Sequence, residues 1–400
     1  MSLLPYEEAL ARIVAAAPAP QTETVEIEHA AGRVLADTVK AKLTQPPFAA
    51  SAMDGYALRA SDLTEVETPL TLIGTSQAGA RFDGKVENSQ TVRIFTGAPV
   101  PEGADAVVMQ ENCTADGDTT TIHQQVEAGR NIRPAGGDFT QGDTLLDAGH
   151  KISPHDVALA AAANHAHLTI AKPPSIAILS TGDELVRPGE TPGPDQIIAS
   201  NAIGLAALIE SWGGEAIDLG LLPDDLGAIT QAIAKAQDYD VLLTIGGASV
   251  GDHDHVHTAL TQAGAEMDFW KVAIKPGKPL MFGALGTKPV LGLPGNPVSA
   301  IVVAHLFLKP FMAAMLGSHS TEKKPTARLG ANLPANGNRR DHIRATLSIN
   351  ADGSRAVTPL PVQDSAHLRV LAAADALIIR EVNAPAARAG DIANILPLFP

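Results

Sequence analysis

The spacing of apolar positions changes character along the chain. Tyr6, Leu10, Ile13 and Val14 recur at helical spacing behind Pro5, which predicts a helix over residues 5–17. A second helix is expected over 29–42, and the proline-rich stretch 44–51 is expected to be irregular. From Asp54 to Asp138 the apolar runs shorten. Runs at 70–73, 91–95, 106–110 and 119–122 are divided by Gly, Pro and Asp, the pattern of a small all-β unit. Ser153 followed by Pro154 then predicts a capped helix over 153–163.

Beyond Pro173 and Pro174 the two periods alternate. Strands are expected at 175–179, 215–220, Val241–Ile245 and 290–293, and helices at 199–212, Leu226–Ala236, 255–264 and 298–308. That order predicts a doubly wound, mainly parallel sheet. Past Gly317 the pattern is β-like again to Pro400. The expected fold class is α/β multidomain, in four units: a helical and linker unit (1–50 with 139–172), an inserted small β domain (51–138), a central α/β domain (173–318) and a C-terminal β domain (319–400). The most apolar window, 298–316, contains His305, Lys309 and Pro310, which predicts a buried core helix broken at Pro310 rather than a membrane span.

Charge and composition narrow the function classes. The net charge is −15, whereas a binder of the phosphate backbone is normally basic. Aromatics make up only 4%, too few for base-stacking platforms. Neither nucleic acid nor membrane is an expected partner; an acidic chain with placed lysines points to a small anionic ligand. Cys113 is the single cysteine, so no disulfide framework forms within the chain and a reducing, cytoplasmic location is expected. The N-terminal MSLLPYEEALARI lacks a basic n-region and an apolar h-region, so no signal peptide is expected.

The chemistry concentrates where apolar runs end. Val241–Ile245 runs into a loop holding Gly246, Gly247, Ser249, Gly251 and Asp252, and the 290–293 run ends in Pro294, Gly295, Asn296 and Pro297. Glycine loops at strand ends let backbone N–H groups approach phosphate. Neither loop has Walker or G-x-G-x-x-G spacing. The 176–179 run leads into Ser180, Thr181, Gly182, Asp183 and Glu184, whose carboxylates suit a metal, a hydroxyl or a helix N-cap. If 269–275 is extended, Lys271 and Lys275 share a face about 13 Å apart at their α-carbons, opposite Trp270, Val272 and Ile274. His253, His255 and His257 lack a matching ligand pair at zinc spacing, whereas Asp252 and Asp254 suit Mg²⁺.

Taken in order, Gly32-Arg-Val-Leu35, Ser51-Ala-Met-Asp-Gly-Tyr56, Phe95-Thr-Gly-Ala-Pro99, Ser180-Thr-Gly-Asp-Glu-Leu185, Gly246 to Asp254, Lys271 to Pro279 and Pro294-Gly-Asn-Pro297 resemble the molybdopterin molybdenumtransferases over nearly the whole chain. Those enzymes insert molybdate into the pterin dithiolene during molybdenum-cofactor synthesis. The resemblance implies adenylyl-molybdopterin and molybdate as substrates, Mg²⁺ as cofactor and AMP as a product. It also implies a homodimer whose active site lies between the α/β domain of one subunit and the β unit of the other, and an adenylyltransferase as a partner that delivers substrate. The functional positions it implies are Asp54, Thr96, Asp138, Glu184, Asp224, Asp254, Lys271, Lys275, Pro294 and Pro297, with Glu184, Asp252 and Asp254 around the metal. A C-terminal arginine is expected to join them, Arg344 ahead of Arg339 and Arg340. The chain departs from the pattern at Gly137, where an acid is usual, and at 363–367, where a glycine–serine turn is usual. The α/β domain alone also resembles the molybdopterin adenylyltransferases, and a scaffold role is the other alternative; the 1–170 and 320–400 segments favour the molybdenum-inserting enzyme.

Overall fold

The central sheet is built from strands that are apolar on both faces. In Ser175–Thr181, residues Ile176, Ala177, Ile178 and Leu179 are fully buried, as parallel strands covered by helices on each side must be. The computed structural model describes residues 3–246, 255–318 and 325–399. In it the sheet order is Glu215–Leu222, Ser175–Thr181, Val241–Ile245, Lys288–Leu293, Pro279–Leu285, Ala265–Lys271. The first four strands are parallel, and Pro279–Leu285 runs antiparallel to both of its neighbours. Tyr6–Ala15, Asn201–Ser211 and Pro297–Met315 pack on one face, Leu226–Ala236 and His255–Gln262 on the other. The doubly wound expectation therefore holds.

Two further six-stranded sheets and four two-stranded ones accompany this core among the described residues. Six short strands form the β sheet of the 55–122 region, in the order Ala106–Met109, Gly55–Leu58, Gln90–Ile94, Thr68–Ser76, Thr119–Ile122, Cys113–Asp116. Another six-stranded sheet joins Ile274–Lys275 to Arg340–Ile349, Arg355–Pro359, Thr326–Leu329, Ile392–Pro397 and Ala376–Arg380, and pairs back on itself through Arg340–Ile349 and Ala376–Arg380. Thr22–Glu26 pairs with His167–Ala171, next to the helix Pro154–Ala162, whose Ser153 and Asp156 form a reciprocal capping box.

Two expectations are corrected. The helix expected over 29–42 is absent. A 3₁₀ turn, Ile27–His29, and a two-residue strand, Val39–Lys40, form there instead, and the backbone between them bonds to remote segments: Gly32 N–H to Ile152 O, Leu35 N–H to His150 O and Ala36 N–H to Thr169 O. Val34, Leu35 and Val39 are buried against this neighbourhood, so tertiary contacts override local propensity. The core helix is also not broken at Pro310. Pro297–Val303 passes through a π-helical turn, Ala304–Leu308, into Lys309–Met315. Proline lacks an N–H and crowds the carbonyl four residues earlier; a wider turn ahead of it absorbs both. This 19-residue helix is apolar enough to cross a membrane by length and composition, but Val302, Phe307 and Phe311 pack it into the sheet core.

Candidate functional site

The chain leaves Ser175–Thr181 for the outer strand Glu215–Leu222 and then crosses to Val241–Ile245 on the other side. The strand order reverses between Ser175–Thr181 and Val241–Ile245. In open α/β sheets ligands occupy the crevice outside the carboxyl ends at such a point. Ser180, Thr181 and Gly182 end one strand there, and Gly246 ends the other. Gly246 has φ +86° and donates its N–H to Leu293 O at 3.2 Å. A β-carbon on Gly295 would lie 3.9 Å from the Gly246 α-carbon, so the two turns pack backbone against backbone. Asn201 Nδ2 donates to Gly295 O at 2.7 Å and anchors the Pro294–Pro297 turn, from which Pro297 opens the core helix. Asn296 precedes that helix without a side-chain cap.

Acidic groups ring this crevice. Asp183 and Glu184 do not cap a helix; Leu185–Val186 continues as a short strand beside Ile197–Ile198. Asp183 Oδ1 accepts the Asp224 N–H at 3.1 Å and ties two strand ends together. Glu184 is exposed and folds back, so that a β-carbon on Gly182 would sit 2.6 Å from its Oε2. An exposed carboxylate at this strand end matches the oxygen ligands that Mg²⁺ prefers. Among the described residues no group of three or more His, Cys, Asp or Glu side chains is placed to hold a metal. Gly247, Ser249, Gly251, Asp252, His253 and Asp254 lie outside the described residues. His255 and His257 belong to the helix His255–Gln262, where positions two apart diverge, and the His257 ring meets Trp270 edge to face at 4.6 Å.

Lys271 and Lys275 do not share one extended strand. Bulges disturb the pairing of Ala265–Lys271, which ends at Lys271, and Ile274–Lys275 crosses into the C-terminal sheet beside Arg340 and Asp341. Trp270 accordingly packs on one face of the central sheet while Val272 and Ile274 pack on the other. Lys271 is half-buried and makes no ion pair among the described residues. Lys275 Nζ donates to Asp341 Oδ2 at 3.0 Å. Alternation was the wrong premise because the segment serves two sheets.

The β sheet contributes a second cluster. Asp54 Oδ1 accepts both the N–H and the Oγ1–H of Thr96, each at 2.8 Å, across 42 residues of sequence. These hydrogen bonds, that from the backbone first, hold the Asp54 carboxyl below its ordinary range, with Arg93 adding to the effect. The turn is tightly specified: a β-carbon on Gly55 would meet Val108 O at 1.9 Å. Asp138 donates its N–H to Gln45 O at 3.1 Å, and the residue is exposed. Among the described residues no hydrogen bond or ion pair joins 44–140 to 173–318.

The C-terminal sheet meets the end of the Pro294–Pro297 turn through the loop that wraps Arg344. Arg344 is 2% exposed, and burial lowers its affinity for a proton. Gln363 Oε1 accepts the Arg344 N–H at 3.0 Å, and Arg344 Nη2 donates to Asp364 O at 3.4 Å. Ser365 O accepts the Val298 N–H at 3.1 Å, so the atypical 363–367 segment rests on the Pro294–Pro297 turn. Gln363 and Ser365 are thus neighbours of the turn, in the segment that the sequence marked only as a departure from the family pattern. Arg340 is engaged by Glu7, by Glu381 and over the Tyr6 ring.

Comparison with known proteins places these features in a family context. Residues 4–164 match the MoeA N-terminal region (domain I and II), residues 177–314 a probable molybdopterin binding domain, and residues 326–398 the MoeA C-terminal region (domain IV). A molybdopterin molybdenumtransferase of Haemophilus influenzae is 36% identical over 400 residues, which span 99% of this chain and 98% of that protein. One of Nostoc sp. is 36% identical over 304 residues, 74% of this chain and 70% of its own. The crystal structure of a molybdopterin biosynthesis protein from Pyrococcus horikoshii superimposes with a TM-score of 0.84 at 30% identity, covering 98% of this chain and 99% of that one.

Proposed function

Because this chain belongs to the molybdopterin molybdenumtransferases, transferases of molybdenum-cofactor synthesis, we propose that it inserts molybdate into adenylyl-molybdopterin, with Mg²⁺-dependent release of AMP. The observation that carries this reading is the convergence of Thr181, Gly182, Gly246 and the Pro294–Pro297 turn at the strand-order reversal, with Glu184, Asp224 and the Arg344 loop at its rim. In this reading the units are 1–50 with 139–172, 51–138, 173–318 and 319–400, and the protein works as a cytoplasmic homodimer supplied by an adenylyltransferase.

Each residue then has a role. The backbone of Gly246 and Gly295, with Gly247, Ser249 and Gly251, cradles the pyrophosphate. Pro294 and Pro297 hold that cradle rigid, and Ser180, Thr181 and Asn296 supply hydrogen bonds beside it. Lys271, Lys275 and Arg344 balance the charge of the pyrophosphate and molybdate. Opposite unit charges 4 Å apart gain about 4 kcal/mol at an effective dielectric near 20, and like charges lose as much. Glu184, Asp252 and Asp254 would hold Mg²⁺, which when bound neutralises phosphate oxygens and polarises the phosphorus–oxygen bond. Asp54 has Oδ1 occupied by Thr96, which leaves Oδ2 to orient an attacking water and take its proton as that water bonds to the adenylyl phosphorus, the pyrophosphate phosphorus–oxygen bond breaks, and AMP and the pterin phosphate separate. Asp138 and Asp224 complete the polar wall.

The test is incubation with adenylyl-molybdopterin, molybdate and Mg²⁺, following AMP. We expect molybdate-dependent AMP release. Release indifferent to molybdate, or formation of the adenylate from ATP, would move the chain to the adenylyltransferase class.

We further propose that the site is shared between subunits, a reading supported by the placement of Asp54 and Thr96 at the 55–122 β sheet while Lys271 lies on the central sheet. Mixing Asp54→Asn with Lys271→Ala protein and allowing subunits to exchange is expected to restore about a quarter of wild-type activity, since half the dimers gain one intact site of two. A mixture that exchanges yet stays inactive would exclude the shared site.

A further inference from the structure

Arg93 is absorbed by none of the roles above, yet it touches every segment that holds Asp54. It lies on Gln90–Ile94, directly across from Tyr56 in the antiparallel pair with Gly55–Leu58. Its Nη1 donates to Gly55 O at 2.9 Å, the residue after Asp54. Its Nη2 donates to Gln110 Oε1, and the Gln110 N–H in turn donates to Asp54 O at 3.1 Å. The guanidinium is stacked over the rings of Tyr56, at 5.0 Å, and Phe95, at 4.8 Å. Phe95 immediately precedes Thr96, the residue that donates twice to the Asp54 carboxylate. One half-buried cation therefore braces the turn after Asp54, the chain that holds its carbonyl and the chain that holds its carboxylate.

We propose that Arg93 is a positioning residue for the reaction: it fixes the Asp54–Thr96 pair as one rigid unit and aims the free Asp54 oxygen into the site. The inference rests on the reading of Asp54 given above. The physics favours arginine specifically. A planar fork can donate in two directions while its carbon stays over aromatic rings, which a lysine ammonium cannot match. The cost of losing it falls on geometry, and displacement of a catalytic group by about 1 Å can cost on the order of 10²-fold in rate.

Four variants test this: Arg93→Met, Arg93→Lys, Gln110→Ala and the double variant Arg93→Met with Asp54→Asn. Turnover and substrate binding are measured separately, and folding is followed by thermal unfolding. Arg93→Met is expected to lose about 10²-fold in kcat with substrate binding nearly unchanged, and Arg93→Lys to recover only part of the loss. Adding Arg93→Met to Asp54→Asn is expected to cost nothing further, because the two act through one oxygen. Wild-type kcat in folded Arg93→Met, or full additivity in the double variant, would overturn the proposal. If Arg93→Met does not fold, Gln110→Ala decides: a reduced kcat supports the brace, and an unchanged one overturns it. Normal turnover of Asp54→Asn alone would instead remove the reading of Asp54 on which the inference stands.

Discussion

Asp54→Asn protein is expected to fold and bind substrate while turning over about 10²- to 10⁴-fold more slowly than wild type, the range for loss of a positioned acid–base group. The fold should survive because the carboxylate is exposed and asparagine keeps an oxygen to accept from Thr96. Binding should survive because the phosphate cradle lies on the central sheet. What disappears is the negative charge that Thr96 and Arg93 keep ionised. Since that carboxyl sits below its ordinary range, wild-type turnover should not fall off until well into acid from this group. Single-turnover AMP release and equilibrium binding of adenylyl-molybdopterin separate the two effects; a variant within a few-fold of wild type in turnover would take Asp54 out of the chemistry.

Acid should unfold the protein sooner than its carboxylates alone would require. His342 is completely buried, and burial, reinforced by Arg340, pushes it down to about 3. Burial and then Lys309 push His305 down to about 4. Both are neutral in the folded protein, whereas an unfolded histidine takes its proton near pH 6.5. Below that value the unfolded chain binds protons that the folded chain refuses, so stability is full above about pH 6.5 and falls as pH drops toward 4 and then 3. At about 1.4 kcal/mol per pH unit, the pair removes on the order of 3 kcal/mol each by pH 4, a large part of a domain's 5–15 kcal/mol. Urea titrations at pH 7 and pH 4.5 measure this. His342→Leu, which cannot titrate, is expected to reduce the pH dependence. An unaltered slope in that variant would mean that His342 is not the group responsible.

The parallel strands were legible because burial on both faces leaves continuous apolar runs, and Val241–Ile245 and Leu226–Ala236 fall where periodicity put them. The capped start at Ser153 was legible for an equally local reason, since the side chain bonds its own first turn. The strands Gly55–Leu58 and Cys113–Asp116 escaped notice because they are four residues long and carry Gly, Thr and Asp. The false helix over 29–42 failed for the opposite reason: its residues have adequate local propensity, but their backbone partners lie more than a hundred residues away.

For the site, local sequence determined the glycine and proline turns at strand ends and the types of charged residue beside them, because turn chemistry and strand ends are decided over a few neighbouring residues. The tertiary structure alone decided the pairings. It brought Thr96 to Asp54, Asp183 to Asp224, Asp341 to Lys275 and the 363–365 loop to Arg344 and Val298. It also assigned Ile274–Lys275 to the C-terminal sheet. Such contacts join residues up to 67 positions apart, and which of many lysines, acids and loops meet depends on strand order and bulges that no local period encodes.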